Sequence, residues 1–421
     1  MGGLFANRWL VVIASLLGLL VGAGPVLIFS SGVFLRPVTA DLGITRGDLS
    51  AGVLLATFFT ALSCPIVGWL LDRYGTRRVM IPGIILYALV VACFGFMQTT
   101  PAYLIPLIFV AVGFVGGVQT PIPYAAVVAQ WFDRQRGLAL GIATAGVGLG
   151  VALLPPFLAW MIDGFGWRHA YFGLGIAVFV LAWLPVALFV REPPGLSQAA
   201  RRQVGEDLTA ALPGTLANAA FKQWEFWALS VAFFLGVMAI NGTLYHLVPL
   251  LMDRGVPLQL ASRVLSGAGI AIIFGRIIAG WCLDRFWGPY VAICFFISPM
   301  VGIALLISGA TGFVPLIGAI LCGAGIGAEI DLMAFFLSRY FGLKAYGKIY
   351  GVMFAIFNIG TGVGPWLSGR TFDVFHAYGP IFIVYEVALA ITCLLFVRLG
   401  PYPYPAPKRE DIPAVQQKAA A

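Results

Sequence analysis

The chain has 421 residues, of which 61% are hydrophobic and only 10% are charged. An ordinary soluble domain has about 25% charged residues, so this chain cannot cover a water-exposed surface of the expected size. The composition excludes a soluble globular enzyme, a fibrous protein and a disordered chain. It predicts a polytopic membrane protein whose outer surface contacts lipid.

Twelve apolar segments are long enough to cross a bilayer, which takes about 20 residues. We number them spans one to twelve, and they occupy approximately residues 9–34, 49–70, 79–97, 102–131, 137–161, 169–190, 224–250, 260–281, 289–308, 312–337, 346–369 and 380–399. We predict an all-α protein with a six-helix half at 1–190, a cytoplasmic linker at 191–222, a second six-helix half at 223–399 and a disordered cytoplasmic tail at 400–421.

The basic residues indicate how the chain is oriented in the membrane. With the N-terminus placed inside, 18 of the 25 Lys and Arg residues fall on the cytoplasmic side and six on the outer side. Arg276 is the remaining one and lies within span eight. The excess follows the positive-inside rule and predicts that both termini are cytoplasmic. The net charge of +8 therefore concerns orientation, and we expect no nucleic-acid partner.

The chain repeats itself at an offset of about 210 residues. Span two ends in GWLLDRYG at 68–75, and span eight ends in GWCLDRFWG at 280–288. At the same offset, Pro155 of span five corresponds to Pro365 of span eleven. Parallel six-span repeats around a midplane cavity are typical of transporters.

The loop after span two, GWLLDRYGTRR, resembles the loop signature of the major facilitator superfamily. The resemblance implies twelve transmembrane helices in two pseudo-symmetric six-helix halves. It also implies that the charged residues of this loop and its second copy latch one conformation. The residues that carry the signature are Gly68, Asp72, Arg73, Gly75, Arg77, Arg78, Asp284 and Arg285.

Three further segments resemble the monocarboxylate porter and oxalate–formate antiporter-like branch of that superfamily. They are GVFLRPVTADLGITRGDLS at 32–50, WFDRQRGLALGIATAGVGLG at 131–150 and FGRIIAGWCLDR at 274–285. The resemblance implies a secondary active transporter of small organic monocarboxylates that is proton-coupled and works by rocker-type alternating access. An organic-anion exchanger or exporter is the alternative, and a carboxylate-sensing membrane receptor is a remote one.

Arg276, Glu329 and Asp331 are the chief ionisable residues inside predicted spans, where a charge costs several kcal/mol and is functional by default. Arg276 of span eight occupies the position at which the branch binds the substrate carboxylate, and a guanidinium group suits that task because it bonds a carboxylate in a bidentate manner. Glu329 and Asp331 of span ten are candidates for proton coupling. Because they are two residues apart on a helix, we expect at most one of them to face the central cavity.

Several polar residues in other spans are candidates for the same site. Gln119 of span four corresponds to Glu329 at the offset of 210, which favours a cavity-lining position for both. His246 of span seven is a third candidate for proton coupling, since an imidazole titrates near neutral pH. The candidates for substrate binding around Arg276 are Asn241, Tyr245, Gln119, Tyr124 and Asn358.

The expected partners are a small organic anion, protons and membrane lipids. We expect no cofactor and no metal, because no nucleophile–base pair or metal-ligand cluster occurs at a useful spacing, and we expect the protein not to be an enzyme. We predict a monomer. Arg outnumbers Lys by 20 to five, which favours a GC-rich bacterial source and hence the inner membrane.

Overall fold

A computed structural model describes most of the chain, and its regular elements are helices. The described residues are 8–97, 104–132, 135–190, 214–310 and 312–404. Most of the predicted linker and the tail beyond Tyr404 therefore lie outside the described residues, as do the side chains of Asp72 and Arg136.

The N-terminal half contains spans one to six. Span one is interrupted by a π-helical turn, and span four is broken near its middle. The helices are Arg8–Leu20, Gly24–Phe29, Ser31–Leu42, Arg46–Tyr74, Thr76–Cys93, Phe94–Phe96, Ile105–Gly116, Gly117–Gln119, Pro121–Trp131, Arg136–Val178, Phe179–Trp183 and Leu184–Phe189.

The C-terminal half contains spans seven to twelve, each a single helix. A four-residue helix, Ala217–Ala220, precedes them at the end of the linker. The spans are Trp224–Asp253, Leu258–Leu283, Gly288–Ile307, Val314–Tyr340, Tyr346–Phe375 and Gly379–Val397.

Spans five and six run together as one helical stretch of 53 residues, 137–189. At about 1.5 Å per residue it is far longer than the ~30 Å hydrocarbon core of a bilayer. Gly166 divides the stretch, because its φ of 82° and ψ of 162° are not helical. Positive φ at this turn suits glycine, which has no Cβ. The stretch therefore crosses twice, and the predicted twelve-helix fold is confirmed.

The two halves are built alike. Span one packs against span five as span seven packs against span eleven, and spans two and four pair as spans eight and ten do. The halves meet along two seams, where span two contacts span eleven and span five contacts span eight. Glycines permit the close approach at both seams: a Cβ on Gly148 would lie 2.9 Å from the carbonyl oxygen of Gly269, and one on Gly362 would lie 2.8 Å from Cα of Leu54.

The outer surface of the bundle is apolar. Large side chains such as Ile176 and Phe313 are 63% and 81% exposed, which is unfavourable in water and natural against lipid. Spans one and seven are the most enclosed, since 78% of the residues in the most apolar segment of each are buried. The molecule is therefore organised around these two central spans.

The structure adds detail to three of the predicted segments. Span four is not continuous, because Thr120 is extended between a 3₁₀ turn and the helix that begins at Pro121. Proline lacks an N–H and suits the first turn of a helix, which favours a restart there. The predicted tail begins later than Gly400, since Tyr402 stacks on Trp287 with ring centroids 4.1 Å apart. The linker is also packed at its end, where the N–H of Thr215 donates to the carbonyl of Phe341 at 2.8 Å.

Candidate functional site

A small cavity of about 140 Å³ lies between the two halves, near the middle of the central spans. Residues from spans one, two, four and five line one side of it, and residues from spans seven, eight, ten and eleven line the other. The structure brings five of the predicted site residues to its wall, namely Gln119, Asn241, Arg276, Glu329 and Asn358. Their convergence agrees with the position that the repeat predicts for Gln119 and Glu329.

A larger cavity of about 1320 Å³ adjoins the small one. It reaches the end of the bundle where spans five and eleven begin, since Gly137 and Lys348 line it and are exposed. We call this the open end of the bundle; the turns at Gly75 and Asp284 lie there. Asp331 borders the large cavity, and Arg276 borders both cavities.

Arg276 and Asp331 form an ion pair at this junction. Nε of Arg276 lies 3.0 Å from Oδ2 of Asp331, and the side chains are 18% and 37% exposed. The Nε–H group does not meet the angle of a hydrogen bond to that oxygen. The contact is therefore a charge pair in imperfect alignment, which a ligand carboxylate could replace with a bidentate one.

Glu329 lies apart from that pair, in the small cavity. Its residue is 1% exposed, and neither carboxyl oxygen has a hydrogen-bond partner among the described residues. Of the two acids, Glu329 lines the small cavity between the halves and Asp331 lines the large one, as expected for residues two positions apart on a helix. Span ten passes between the two cavities, and residues 200° apart on it therefore reach different ones.

The other polar candidates differ in whether their polar atoms already have hydrogen-bond partners. Asn241 is 5% exposed, and its Oδ1 has no partner within the described part of the chain. Asn358 donates from Nδ2 to the carbonyl of Phe354 at 2.8 Å. Tyr124 is fully buried and donates a very short hydrogen bond to Oε1 of Gln119. Tyr124 is thus placed behind Gln119 rather than on the cavity wall.

Tyr245 and His246 lie away from both cavities. Tyr245 is fully buried, and its backbone packs closely against Gly32 of the N-terminal half. His246 is also fully buried, with Nε2 2.9 Å from the carbonyl oxygen of Pro365 and Nδ1 3.1 Å from the hydroxyl of Tyr378. A carbonyl only accepts, so Nε2 carries the proton and Nδ1 accepts from the tyrosine hydroxyl.

His246 belongs to a network that closes the end of the bundle opposite the large cavity. Arg46 of span two donates from Nη1 and Nη2 to both carboxylate oxygens of Asp253, at 2.6 and 2.8 Å. The same Nη1 donates to the hydroxyl of Tyr378 at 2.6 Å, and the guanidinium lies 3.7 Å from the centre of the Phe372 ring. We call Arg46, Asp253, Tyr378, Phe372 and His246 together the clamp. We call the end of the bundle at which the clamp lies the closed end.

A second carboxylate reinforces the clamp. Asp373 accepts from the backbone N–H groups of Arg46 at 3.1 Å and Gly47 at 2.9 Å. These N–H groups lie at the N-terminus of span two, where the helix dipole favours a negative charge. Arg46 and Gly47 are in the N-terminal half and Asp373 is in the other, so every one of these contacts joins the halves.

The predicted latch residues at the open end make contacts within their own halves. Arg73 lies over the ring of Trp69 at 5.2 Å, and Arg77 donates to the carbonyl of Ala187 at 2.7 Å. Arg285 lies over Trp281 at 4.3 Å. Gly75 has a φ of 90° and provides the one-residue turn between spans two and three. The remaining predicted members, Gly68, Arg78 and Asp284, occupy the same two turns, and the side chain of Asp72 lies outside the described residues.

Sequence reasoning missed the clamp. Arg46 and Asp253 were visible as charges at span ends, but they are separated by 207 positions in the chain. Nothing in a single sequence identifies such a pair. Sequence reasoning also missed the aromatic residues of span eleven, although these could have been predicted. Their spacing of four, four and three residues from Tyr346 to Phe357 places them on one face of a helix.

The model of the Major Facilitator Superfamily matches residues 26–365 of the chain. The chain belongs to the major facilitator superfamily. This superfamily member is 26% identical over 386 residues to the MFS-type transporter YcxA of Bacillus subtilis, covering 87% of each chain. It is also 26% identical over 398 residues to monocarboxylate transporter 11 of Mus musculus, covering 90% of this chain and 83% of that one.

Solved structures agree on the fold. The D-xylose-proton symporter superposes with a TM-score of 0.72 at 15% identity, covering 94% of this chain and 98% of that one. A bacterial homologue of the human lysosomal transporter Spinster, in its inward-facing and occupied conformation, gives a TM-score of 0.66 at 18% identity, covering 92% and 95%. The protein is thus an integral membrane transporter of this superfamily and not an enzyme.

Proposed function

We propose that the protein carries small organic monocarboxylates across the membrane together with a proton. The observation that supports this most is the placement of Arg276 where the two cavities meet, since it is the one basic side chain among the described residues that line the small cavity. A fixed guanidinium in a low-dielectric site attracts anions strongly and bonds a planar carboxylate well. One cation with one paired acid matches a monoanion better than a dianion.

The other wall groups argue against a sugar-like ligand. Thr57 donates to the carbonyl of Leu54 at 3.0 Å, and Thr361 donates to that of Phe357 at 3.2 Å. Thr60 and Thr120 likewise bond backbone carbonyls, at 2.8 Å each. Each of these hydroxyls has committed its one proton, so it can accept from a ligand but cannot donate to it, and a ligand with many hydroxyls finds no donor among the four.

In the empty transporter, Asp331 balances the charge of Arg276. An entering carboxylate would take over Arg276 and release Asp331 toward the large cavity, where its side chain is already partly exposed. This exchange keeps the guanidinium paired throughout, and an unpaired buried charge costs several kcal/mol.

Glu329 is the proton carrier in this proposal. An ionised carboxylate without partners is expensive in an apolar cavity, and a bound proton removes that cost. Asp331 has a cation beside it, and His246 is enclosed in the clamp, so neither has the same reason to bind a proton from the cavity. Alternating access would follow from rocking of the two halves about their seams.

The protein would act as a monomer in a bacterial inner membrane, with the open end and both termini on the cytoplasmic side. The asymmetry of basic residues supports this orientation. Labelling of single cysteines in each loop of intact cells by an impermeant reagent would test it.

The test is uptake of labelled acetate, lactate and benzoate into proteoliposomes with an imposed pH gradient. Arg276→Ala should reduce uptake of whichever acid is carried at least about 100-fold, because a charge-assisted bidentate contact is lost. Arg263→Ala is the matched control, since Arg263 is exposed on the same span. Normal uptake by Arg276→Ala would overturn the assignment.

A second variant separates proton coupling from exchange. Glu329→Gln should retain counterflow of the acid but lose accumulation driven by the pH gradient, because an amide keeps the shape and cannot release a proton. Glu386→Gln, another carboxyl within a span, is the control. If wild-type protein shows counterflow but never responds to the pH gradient, the protein is an exchanger and the coupling proposal fails.

A further inference from the structure

Four aromatic rings form a stacked row along one face of span eleven. Ring centroids lie 5.7 Å apart from Tyr346 to Tyr350, 5.7 Å from Tyr350 to Phe354 and 5.9 Å from Phe354 to Phe357. The interplanar angles are 20°, 14° and 16°. Successive rings are thus nearly parallel and offset, the arrangement that aromatic pairs prefer.

The row leads from the open end into the small cavity. Tyr350 and Phe354 border the large cavity, while Phe354 and Phe357 border the small one. Phe354 and Phe357 are each 8% exposed, so what remains of their surface faces the cavity. A ligand moving inward from the large cavity would therefore pass along aromatic faces.

The size of the small cavity fits one aromatic ring. Its volume is about 140 Å³, and an engineered apolar cavity of about 150 Å³ in another protein stays dry and binds benzene. The wall of the small cavity also includes the aliphatic side chains of Leu27, Ile28 and Ile326. Arg276 borders the same space, so a ring there can carry its carboxylate to the guanidinium.

We propose that the substrate is an aryl monocarboxylate, with its ring against Phe354 and Phe357 and its carboxylate on Arg276. This rests on the function proposed above and specifies its substrate class. Phe354 and Phe357 are then specificity-determining residues, and Arg276 binds all carboxylates alike.

The test compares three acids of equal charge in proteoliposomes: benzoate, cyclohexanecarboxylate and acetate. Benzoate and cyclohexanecarboxylate have similar bulk, but only benzoate stacks. Uptake of benzoate should exceed that of cyclohexanecarboxylate by about two- to tenfold, the usual range for an aromatic contact beyond its buried area. Acetate should be the poorest of the three, since it leaves the cavity unfilled.

Variants locate the effect. Phe354→Leu and Phe357→Leu keep apolar bulk and remove a ring, so each should bring benzoate uptake down to the level of cyclohexanecarboxylate, and the ratio of these two uptake rates is the readout. Phe274→Leu is the matched control, because Phe274 is 59% exposed on the outer face of span eight. Equal loss for all acids in the Phe354 variant would instead indicate a general packing role and overturn the proposal.

The outcomes separate this proposal from the one beneath it. If acetate or lactate is carried in an Arg276-dependent manner and benzoate is not, the aryl proposal fails while monocarboxylate transport stands. If wild-type protein carries benzoate and cyclohexanecarboxylate equally well, the ring is not recognised and the aryl proposal also fails. If no monocarboxylate is carried or binds in a thermal-shift measurement, both proposals fail.

Discussion

At the closed end, Arg46 of one half bonds Asp253 and Tyr378 of the other; at the open end, Arg73 and Arg285 contact aromatic rings of their own halves. The two ends hold basic residues of the same kind, yet within the described part of the chain those at the closed end join the halves and Arg73, Arg77 and Arg285 at the open end contact their own half. The difference indicates that a basic residue holds the halves together only where a partner in the other half lies within reach. Those that meet a partner seal one end, and those at the other end leave the cavity accessible.

Burial explains why the clamp can outweigh the other ion pairs. The side chain of Arg46 is 12% exposed, whereas those of Arg370 and Asp48 are 52% and 49% exposed with atoms 3.5 Å apart. Exposed pairs contribute about 0–1 kcal/mol, while hydrogen bonds to charged groups in enclosed sites contribute about 1.5–3 kcal/mol each. Several such bonds converge on Arg46, so its removal should change the balance between the ends more than any other single charge.

The largest predicted effect is that of Arg46→Ala. Loss of the bonds to Asp253 and Tyr378 should let the closed end open, and the cavity should then close at the other end. Cys64 lines the large cavity, so its labelling by a water-soluble maleimide reports the open end. In a protein whose other cysteines are serine, we expect the labelling rate to fall at least about tenfold.

Arg370→Gln provides the control for that variant. It removes only the exposed contact with Asp48 and should change the labelling of Cys64 less than about twofold. Equal labelling of Arg46→Ala and wild type would show that packing along the seams, and not the clamp, keeps the end closed.

His246→Gln should have a smaller effect. It weakens neutral hydrogen bonds to Pro365 and Tyr378, each of which contributes about 1 kcal/mol, so Cys64 labelling should fall by about two- to fivefold. Its uptake should keep the same response to a pH gradient as wild type. If His246→Gln loses that response while Glu329→Gln keeps it, the proton is carried by His246 at the closed end and not by Glu329, and our proposal for proton coupling fails.

The smallest predicted effect is at the open end. Arg285 is exposed and stacks on Trp281 of its own helix, so Arg285→Gln should change Cys64 labelling less than about twofold. If the signature turns latch the opposite conformation, the change should be a slight increase. A tenfold decrease would mean that Arg285 already holds this conformation, and the contrast between the two ends would disappear.

The sequence was sufficient for the fold and for much of the cavity wall. Low charge, twelve apolar segments and the repeated Asp-Arg turns predicted the number of spans and their division into two halves of six. The repeat also associated Gln119 with Glu329, and both line the small cavity. These predictions succeeded for the same reason, because the hydropathy pattern and the offset between the two repeats can be read from the sequence without knowing which segments come into contact.

Contacts between distant segments were not predictable in the same way. Asn241 and Tyr245 were both predicted to lie around Arg276, but Tyr245 is about one helical turn further along span seven. Asn241 therefore lines the cavity, while Tyr245 packs near Gly32. The break at Thr120 depends on what surrounds span four, although Pro121 signals it after the fact. The contacts of the clamp form only in the conformation in which this end of the bundle is closed. A transporter adopts at least two conformations, so its sequence alone does not identify contacts that exist in one of them.

The most direct test of the central assignment is protection of Cys64 by ligand in detergent-solubilised protein. A carboxylate held by Arg276 would occupy the cavity beside Cys64 or favour its closure. Benzoate, lactate and acetate should be compared in wild type, Arg276→Ala and Arg263→Ala. We expect at least one acid, with benzoate foremost, to slow labelling several-fold in wild type and Arg263→Ala and to have no effect in Arg276→Ala. Protection that persists in Arg276→Ala, or its absence with every acid in wild type, would contradict the assignment of Arg276 as the carboxylate-binding residue.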